Sequence, residues 1–144
     1  MKFSEASGRQ VVSSNTAETV GQVAGFVIDP QSHSVVAITL KRTEHGDTVL
    51  WADLTAFGVD AVTVPDAEVI LGANDAVAAL SGKDHRLTGK RILNTDGQDL
   101  GAVKDADFDP TTGRLTELLL TNHTVRGEHL IGIGSYAAIV HADP

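Results

Sequence analysis

Apolar residues recur at every second position in short runs along this chain, and turn-forming residues separate the runs. Phe26 and Ile28 share one parity, and Val36, Ile38 and Leu40 share a face in the next run. About 80 residues further on, Ala106 and Phe108, then Thr116, Leu118 and Leu120, hold the matching places. A period of two is the mark of strands with one face buried. Val23 and Val103 lie on the opposite parity from the residues that follow them. The long strand is therefore expected to carry a bulge or sharp bend in mid-course, as a small barrel needs in order to close.

Turn chemistry marks the ends of the strands. In the second half, Lys90–Asn94 reads as a strand turned by Asp96-Gly97, whose glycine accepts positive φ. Asp99–Asp109 reads as a long strand ended by Pro110, which has no N–H to give to a ladder. Pro110-Thr111-Thr112-Gly113 makes the next turn and Leu115–Thr121 returns. A loop through Gly127 leads to Glu128–Ile133 and Ala138–His141. The first half runs alike, with Glu44-His45-Gly46-Asp47 as a hairpin tip. Between the halves lies one helix, capped by Asn74 or Asp75, built on Ala76–Leu80 and stopped by Gly82. Val77 and Leu80 are expected to face a barrel.

The likeness of the halves is an internal repeat. Val20-Gly21-Gln22-Val23 lies over Leu100-Gly101-Ala102-Val103, and the Asp29-Pro30 turn over Asp109-Pro110. Gly8-Arg9 matches Gly89-Lys90 after a one-residue adjustment. Leu50 falls on Leu130 and Trp51 on Ile131 at the same shift. Phe57-Gly58 and Val64 match Ile133-Gly134 and Val140 if the second copy lacks a short stretch. The expected fold is all-β (mainly β): unit 1 at 1–71, a connector with a short helix at 72–86, and unit 2 at 87–144.

Composition narrows the class of protein. Apolar residues make up 42%, enough for a packed core, while aromatics are only 4%. The formal net charge of −8 opposes phosphate backbones and anionic membranes, so no nucleic-acid partner is expected. Basic residues are scattered, and with no Cys there is no disulfide or zinc–thiolate site. Met1–Glu5 lacks the apolar stretch of a signal peptide, and no apolar run reaches membrane-spanning length. The expected location is the cytoplasm, without membrane insertion.

Leu87-Thr88-Gly89-Lys90-Arg91-Ile92-Leu93-Asn94-Thr95-Asp96-Gly97-Gln98-Asp99-Leu100-Gly101, followed by Val103 and Phe108-Asp109, resembles a PRC-barrel domain. The Asp-Pro turn, the Leu-rich return strand and the closing residues 52–64 carry the same resemblance into the first copy. That copy departs from the pattern where Ser14–Glu18 replaces the Asp-Gly turn, and the second ends in a shortened Gly132–Tyr136. The resemblance implies two small PRC-barrel-like β-barrels in tandem. Members of the family include the cytoplasmic part of the photosynthetic reaction-centre H subunit and the C-terminal part of ribosome-maturation factors. It implies docking onto other proteins rather than catalysis, and it supplies no active-site residues.

Other motifs lack an essential element. Asp105, Asp107 and Asp109 have the spacing of a calcium loop, yet Pro110 takes the turn position and Thr116 stands where the bidentate Glu belongs. Six His residues include His123 and His129, which flank one hairpin loop, but none forms the close pair of a zinc helix. Gly132-Ile133-Gly134-Ser135-Tyr136-Ala137 copies a dinucleotide fingerprint without the helix that must follow it. No G-x-S-x-G occurs. No metal, cofactor or catalytic residue is therefore expected, and the chain is read as non-enzymatic.

Two residues are candidates for an interaction surface. Trp51, the lone Trp, is either core packing or an exposed interface anchor. Leu119 stands opposite in parity to Leu118 and Leu120, where the first copy has Thr39. It either fills the gap between barrels or marks an exposed site. The expected role is a protein-binding adaptor or scaffold. The alternatives are a structural homodimer and, behind it, a ribosome-associated factor.

Overall fold

The structure is a computed structural model that describes residues 1–82 and 85–142. A single helical turn, α1 (Phe3–Ala6), precedes unit 1, which comprises β1 (Gln10–Ser13), β2 (Thr19–Asp29), β3 (Ser34–Lys41), β4 (Thr48–Leu50), β5 (Ala56–Phe57) and β6 (Val62–Val64). The connecting helix α2 (Asp75–Leu80) follows. Unit 2 comprises β7 (Arg91–Asn94), β8 (Asp99–Phe108), β9 (Leu115–Leu120), β10 (Thr124–Arg126), β11 (Leu130–Ile133) and β12 (Ala138–Val140). The strand order is β4-β3-β2-β1-β6-β5 in the first unit and β10-β9-β8-β7-β12-β11 in the second. The chain is thus two small β-barrel units in tandem with one topology. In each, the seam between the outermost strands is crossed by a 3-10 turn, Trp51–Asp53 or Gly127–His129.

The repeat holds at the level of register. Val11 pairs antiparallel with Gly21 and parallel with Val62; Ile92 does the same with Gly101 and Ala138. The expected mid-strand irregularity is present in both copies, between Val23 and Gly25 and between Val103 and Asp105. It turns Val23 and Val103 into the same core as Ile28 and Phe108 despite their opposite parity. A second shift falls between Val27 and Ile28 and between Asp107 and Phe108. It corrects one expected face: Val35 and Leu115 join the core, Val36 leaves it, and Thr116 is exposed.

The expected pairings of Leu50 with Leu130 and Trp51 with Ile131 are also corrected. Leu50 lies opposite Ala37, and Arg126 lies opposite the matching Glu117. Leu50 therefore corresponds to Arg126, and Trp51 to Gly127. The missing residues sit in the β9–β10 tip, which is shorter than the tip between β3 and β4. The segment expected as a loop through Gly127 contains β10.

Helix α2 forms where Asn74 accepts the Val77 N–H at 2.8 Å, satisfying one of the donors a helix start leaves unpaired. Val77 is buried against Val27 and Ala37, with Val36, Leu50 and Leu80 around them, so the helix covers the outer face of β2 and β3. The matching positions in unit 2 are Asp107, Glu117, Thr116 and Arg126. An apolar helix face has no complement there, and the sequence thereby assigns the connector to unit 1.

Candidate functional site

Among the described residues, chemistry-bearing side chains come together at several places, including the junction between the units, a groove at one end of unit 2, and a basic corner beside Tyr136.

The junction is built from backbone and aromatic rings. Val35 N–H donates to the Gly113 carbonyl and Leu115 N–H to the His33 carbonyl, each at 2.8 Å, and Ser34 and Arg114 form the bridge between them. His33 and Gly113 both take positive φ, +56° and +81°, at the same turn position of the two copies. Over this joint lie Phe3, Phe26, Trp51 and Phe57 from one side and Phe108 from the other. Phe3 stacks on Phe26 at 4.1 Å, while Phe108 meets Phe57 edge-on at 5.3 Å. The buried residues of both units form one continuous cluster through these rings.

Helix α1 belongs to the same joint, although its four residues carry almost no helical pattern. One turn has almost no intrinsic stability; this one is held because Phe3 enters the cluster and the Met1 carbonyl accepts the Phe108 N–H at 2.8 Å. The one available signal was an aromatic residue in an otherwise polar leader, Phe3.

Trp51 is half-buried, stacked on Phe57 at 5.6 Å and lying over Gly113 of the other unit. Its ring is thereby spent inside the chain. Leu119 is half-buried on the outer face of β9, between its ladder partners Asp105 and Thr124, and belongs to neither apolar cluster. The structure does not bring the two together.

The three acids of β8 are engaged separately. Asp105 accepts the Ser4 N–H at 3.1 Å and the Ser4 hydroxyl, Asp107 takes the Met1 ammonium at 2.5 Å, and Asp109 accepts the Thr111 N–H at 2.8 Å. Gly132–Ala137 is a tight turn between antiparallel strands, closed by the Gly134 N–H on the Ala137 carbonyl. Among the described residues no group of three His, Asp or Glu is placed to hold a metal ion.

The groove, about 1070 Å³, lies between the β7–β8 hairpin, the end of β12 and the edge of β10. Its polar walls include His123, Arg114, Arg126 and Glu128, and Leu100 and Val125 form apolar floor. Arg126 and Arg114 both reach Glu128, at 3.2 and 3.9 Å, in exposed pairs worth little individually. At the basic corner Arg86, Lys90 and Arg91 surround Ser135 and Tyr136. Arg91 lies over the Tyr136 ring at 5.3 Å, and Lys90 donates to the Gly134 carbonyl at 2.9 Å. Arg9 donates likewise to Gly58 in unit 1, so that contact belongs to the repeat and holds the turn.

The fold and these surfaces define a small tandem-barrel module whose halves are fused across one joint. Residues 82–142, the second unit, match the family model of the PRC-barrel domain. No curated protein matches the chain. Among the described residues no helix is long and apolar enough to cross a membrane.

Proposed function

We propose that this chain is a non-enzymatic protein-binding module, an adaptor or scaffold, which takes its partner on unit 2. One observation carries the reading. Among the described residues, unit 2 carries a groove of about 1070 Å³ in which Leu100 and Val125 form apolar floor between polar walls, beside the edge of β10. A strand edge with unpaired N–H and C=O groups beside an apolar floor is a ready site for another chain. Asp99 and Asp109 accept backbone N–H groups, Lys90 donates to a backbone carbonyl and Arg126 pairs with Glu128, so these groups act as structural contacts, which supports binding over catalysis. The net charge of −8 favours a protein over a nucleic acid as partner.

The homodimer reading is weaker because the edge through which two such units pair is already used within the chain, at Ser34 and Arg114. Affinity capture at low salt tests the proposal. The intact chain is expected to retain a distinct protein that a chain with a blocked groove releases. Retention of nothing but further copies of itself would favour self-assembly.

A further inference from the structure

A cavity of about 530 Å³ between the units is lined by corresponding residues of the two copies. Gly8 donates its N–H to the Val23 carbonyl and Gly89 to the Val103 carbonyl, each at 2.8 Å, so Ser4 and Ser7 correspond to His85 and Thr88. All four line the cavity. So do Ala24 and Lys104, the residues that the mid-strand bulges leave out of the β2–β3 and β8–β9 ladders, and Gly25 and Asp105 beside them. The cavity thus lies across the joint, where the copies meet as equivalents.

Its two walls differ in charge. Unit 1 contributes Ala24 and Gly25, with Thr39 opposite Gly25 in the ladder and its hydroxyl 2.9 Å from where a Cβ on Gly25 would stand. At the matching places unit 2 has Lys104, Asp105 and Leu119, and Arg86 stands where unit 1 has Glu5. Among the described lining residues Asp105 alone carries a carboxylate, and it is spent on the wall. Ser4 gives it both its N–H and its hydroxyl, and the Ala106 N–H lies at 2.9 Å. Lys104 and Arg86 are exposed, and among the described residues neither has an ion-pair partner. The half-buried Phe26 and Leu80 add apolar surface. In a chain of net charge −8, two unneutralised cations beside that surface make a local positive site with an apolar side.

We infer that this cavity binds a small organic anion, its charged group on Lys104 and Arg86 and its apolar body against Phe26 and Leu80. The inference goes beyond the protein-binding reading and does not rest on it. An anionic head gains from charge-assisted hydrogen bonds to the ammonium and guanidinium groups, and gains more where the ligand's own body displaces water. The wall of Ala24, Gly25 and Thr39 holds no charge to compete for the head and leaves room for the body. Two identical walls would accept the ligand either way round; these two fix one orientation.

The probe is sodium octanoate, titrated into the intact chain and followed through backbone amide NMR shifts, with acetate as the head alone and 1-octanol as the tail alone. Saturable shifts centred on Gly25, Thr39, Ser81 and Lys104 are expected at a Kd below about 1 mM, with acetate and octanol each binding at least about tenfold more weakly. Lys104→Gln should weaken octanoate binding by about fivefold or more. Lys41→Gln, at an exposed lysine outside the cavity, should leave it unchanged. Thr39→Leu, which puts the unit 2 residue into the unit 1 wall, should fill the cavity and abolish the shifts. Should that variant unfold, the comparison of the two lysines decides, since both side chains are exposed. No saturable shift, shifts scattered over the surface bases, or equal losses in Lys104→Gln and Lys41→Gln overturn the inference. So does octanol binding as tightly as octanoate, since the cavity would then be merely apolar.

Discussion

Ser34 and Arg114 face each other across the joint between the units, and each is the other's counterpart in the repeat. A residue that pairs with its own equivalent marks a local two-fold axis, the signature of an isologous interface. The hydrogen bonds on either side obey it, since Val35 to Gly113 and Leu115 to His33 exchange under the same operation. The chain is therefore built as a dimer of barrels made covalent. Linking the halves turns an association between two bodies into an internal contact, which holds it closed at any protein concentration.

Gly113 tests that joint. A Cβ there would lie 2.9 Å from the Trp51 ring and 3.0 Å from the Val35 carbonyl, on a residue at φ +81°. Gly97, at φ +80°, has open space around it. Both Gly→Ala changes carry the left-handed penalty of roughly 1–2 kcal/mol. Gly113→Ala adds overpacking of about 1–3 kcal/mol, so urea midpoints should separate the two variants clearly. Equal losses would mean that the joint yields freely.

Phe108 is the ring on which the cluster converges, within 5.3–6.1 Å of Phe3, Phe26, Trp51 and Phe57. Phe108→Ala should cost about 3–5 kcal/mol and change the Trp51 emission, although the substitution is in the other unit. An unchanged emission spectrum would show that the rings do not share one environment.

The connector should be a lesser contributor. Asn74→Ala removes the cap bond and should cost about 1 kcal/mol; Val77→Ala strips side-chain carbons from the second cluster and should cost about 2 kcal/mol. Hydrogen exchange should report the loss first on α2 and the outer face of β3. Destabilisation by Val77→Ala as large as that of Phe108→Ala would contradict this ranking.

Calorimetric titration with Ca²⁺, Zn²⁺ and NAD should give only heats of dilution. Asp105, Asp107 and Asp109 have separate partners, and Gly132–Ala137 turns between strands instead of opening a helix. Binding tighter than roughly 10 μM, about −7 kcal/mol, would overturn this.

What could be read beforehand follows from range. The strands, the Asp96-Gly97 and Pro110–Gly113 turns, the mid-strand bulges and the capped helix are local, fixed by parity and by residues with special φ. Parity alone puts Val36 and Thr116 on the wrong face, because the second bulge leaves no mark on it until the register at Val27 or Asp107 is known. Hydrophobic matching places Leu50 on Leu130 because a deletion at a polar hairpin tip leaves no apolar mark. The groove was illegible for a different reason. It forms where Leu100, His123 and Val125 meet at one end of unit 2, and only the register of β8, β9 and β10 brings them together.

The interdependence of the barrels is the most demanding expectation. Cutting the chain near Gly82 would separate Phe108 from Phe3, Phe26, Trp51 and Phe57, and would expose the β3 and β9 edges that meet at Ser34 and Arg114. Burying one large apolar side chain is worth roughly 1.5–3 kcal/mol, and a domain of this size holds on the order of 5–15 kcal/mol in all. Two or three such residues uncovered would remove a large share of what each half retains. Each separated half should therefore unfold at lower denaturant than the parent, or self-associate through the edge it has lost. The intact chain should give one transition, with far-UV circular dichroism and Trp51 fluorescence coincident, because the main cluster runs through both units without a break. Denaturant titrations of the parent and of both halves, with sedimentation to establish their mass, decide the matter. Halves that stay monomeric and keep the parent's midpoint would make the aromatic joint energetically idle, and the two barrels would then be independent bodies that happen to touch.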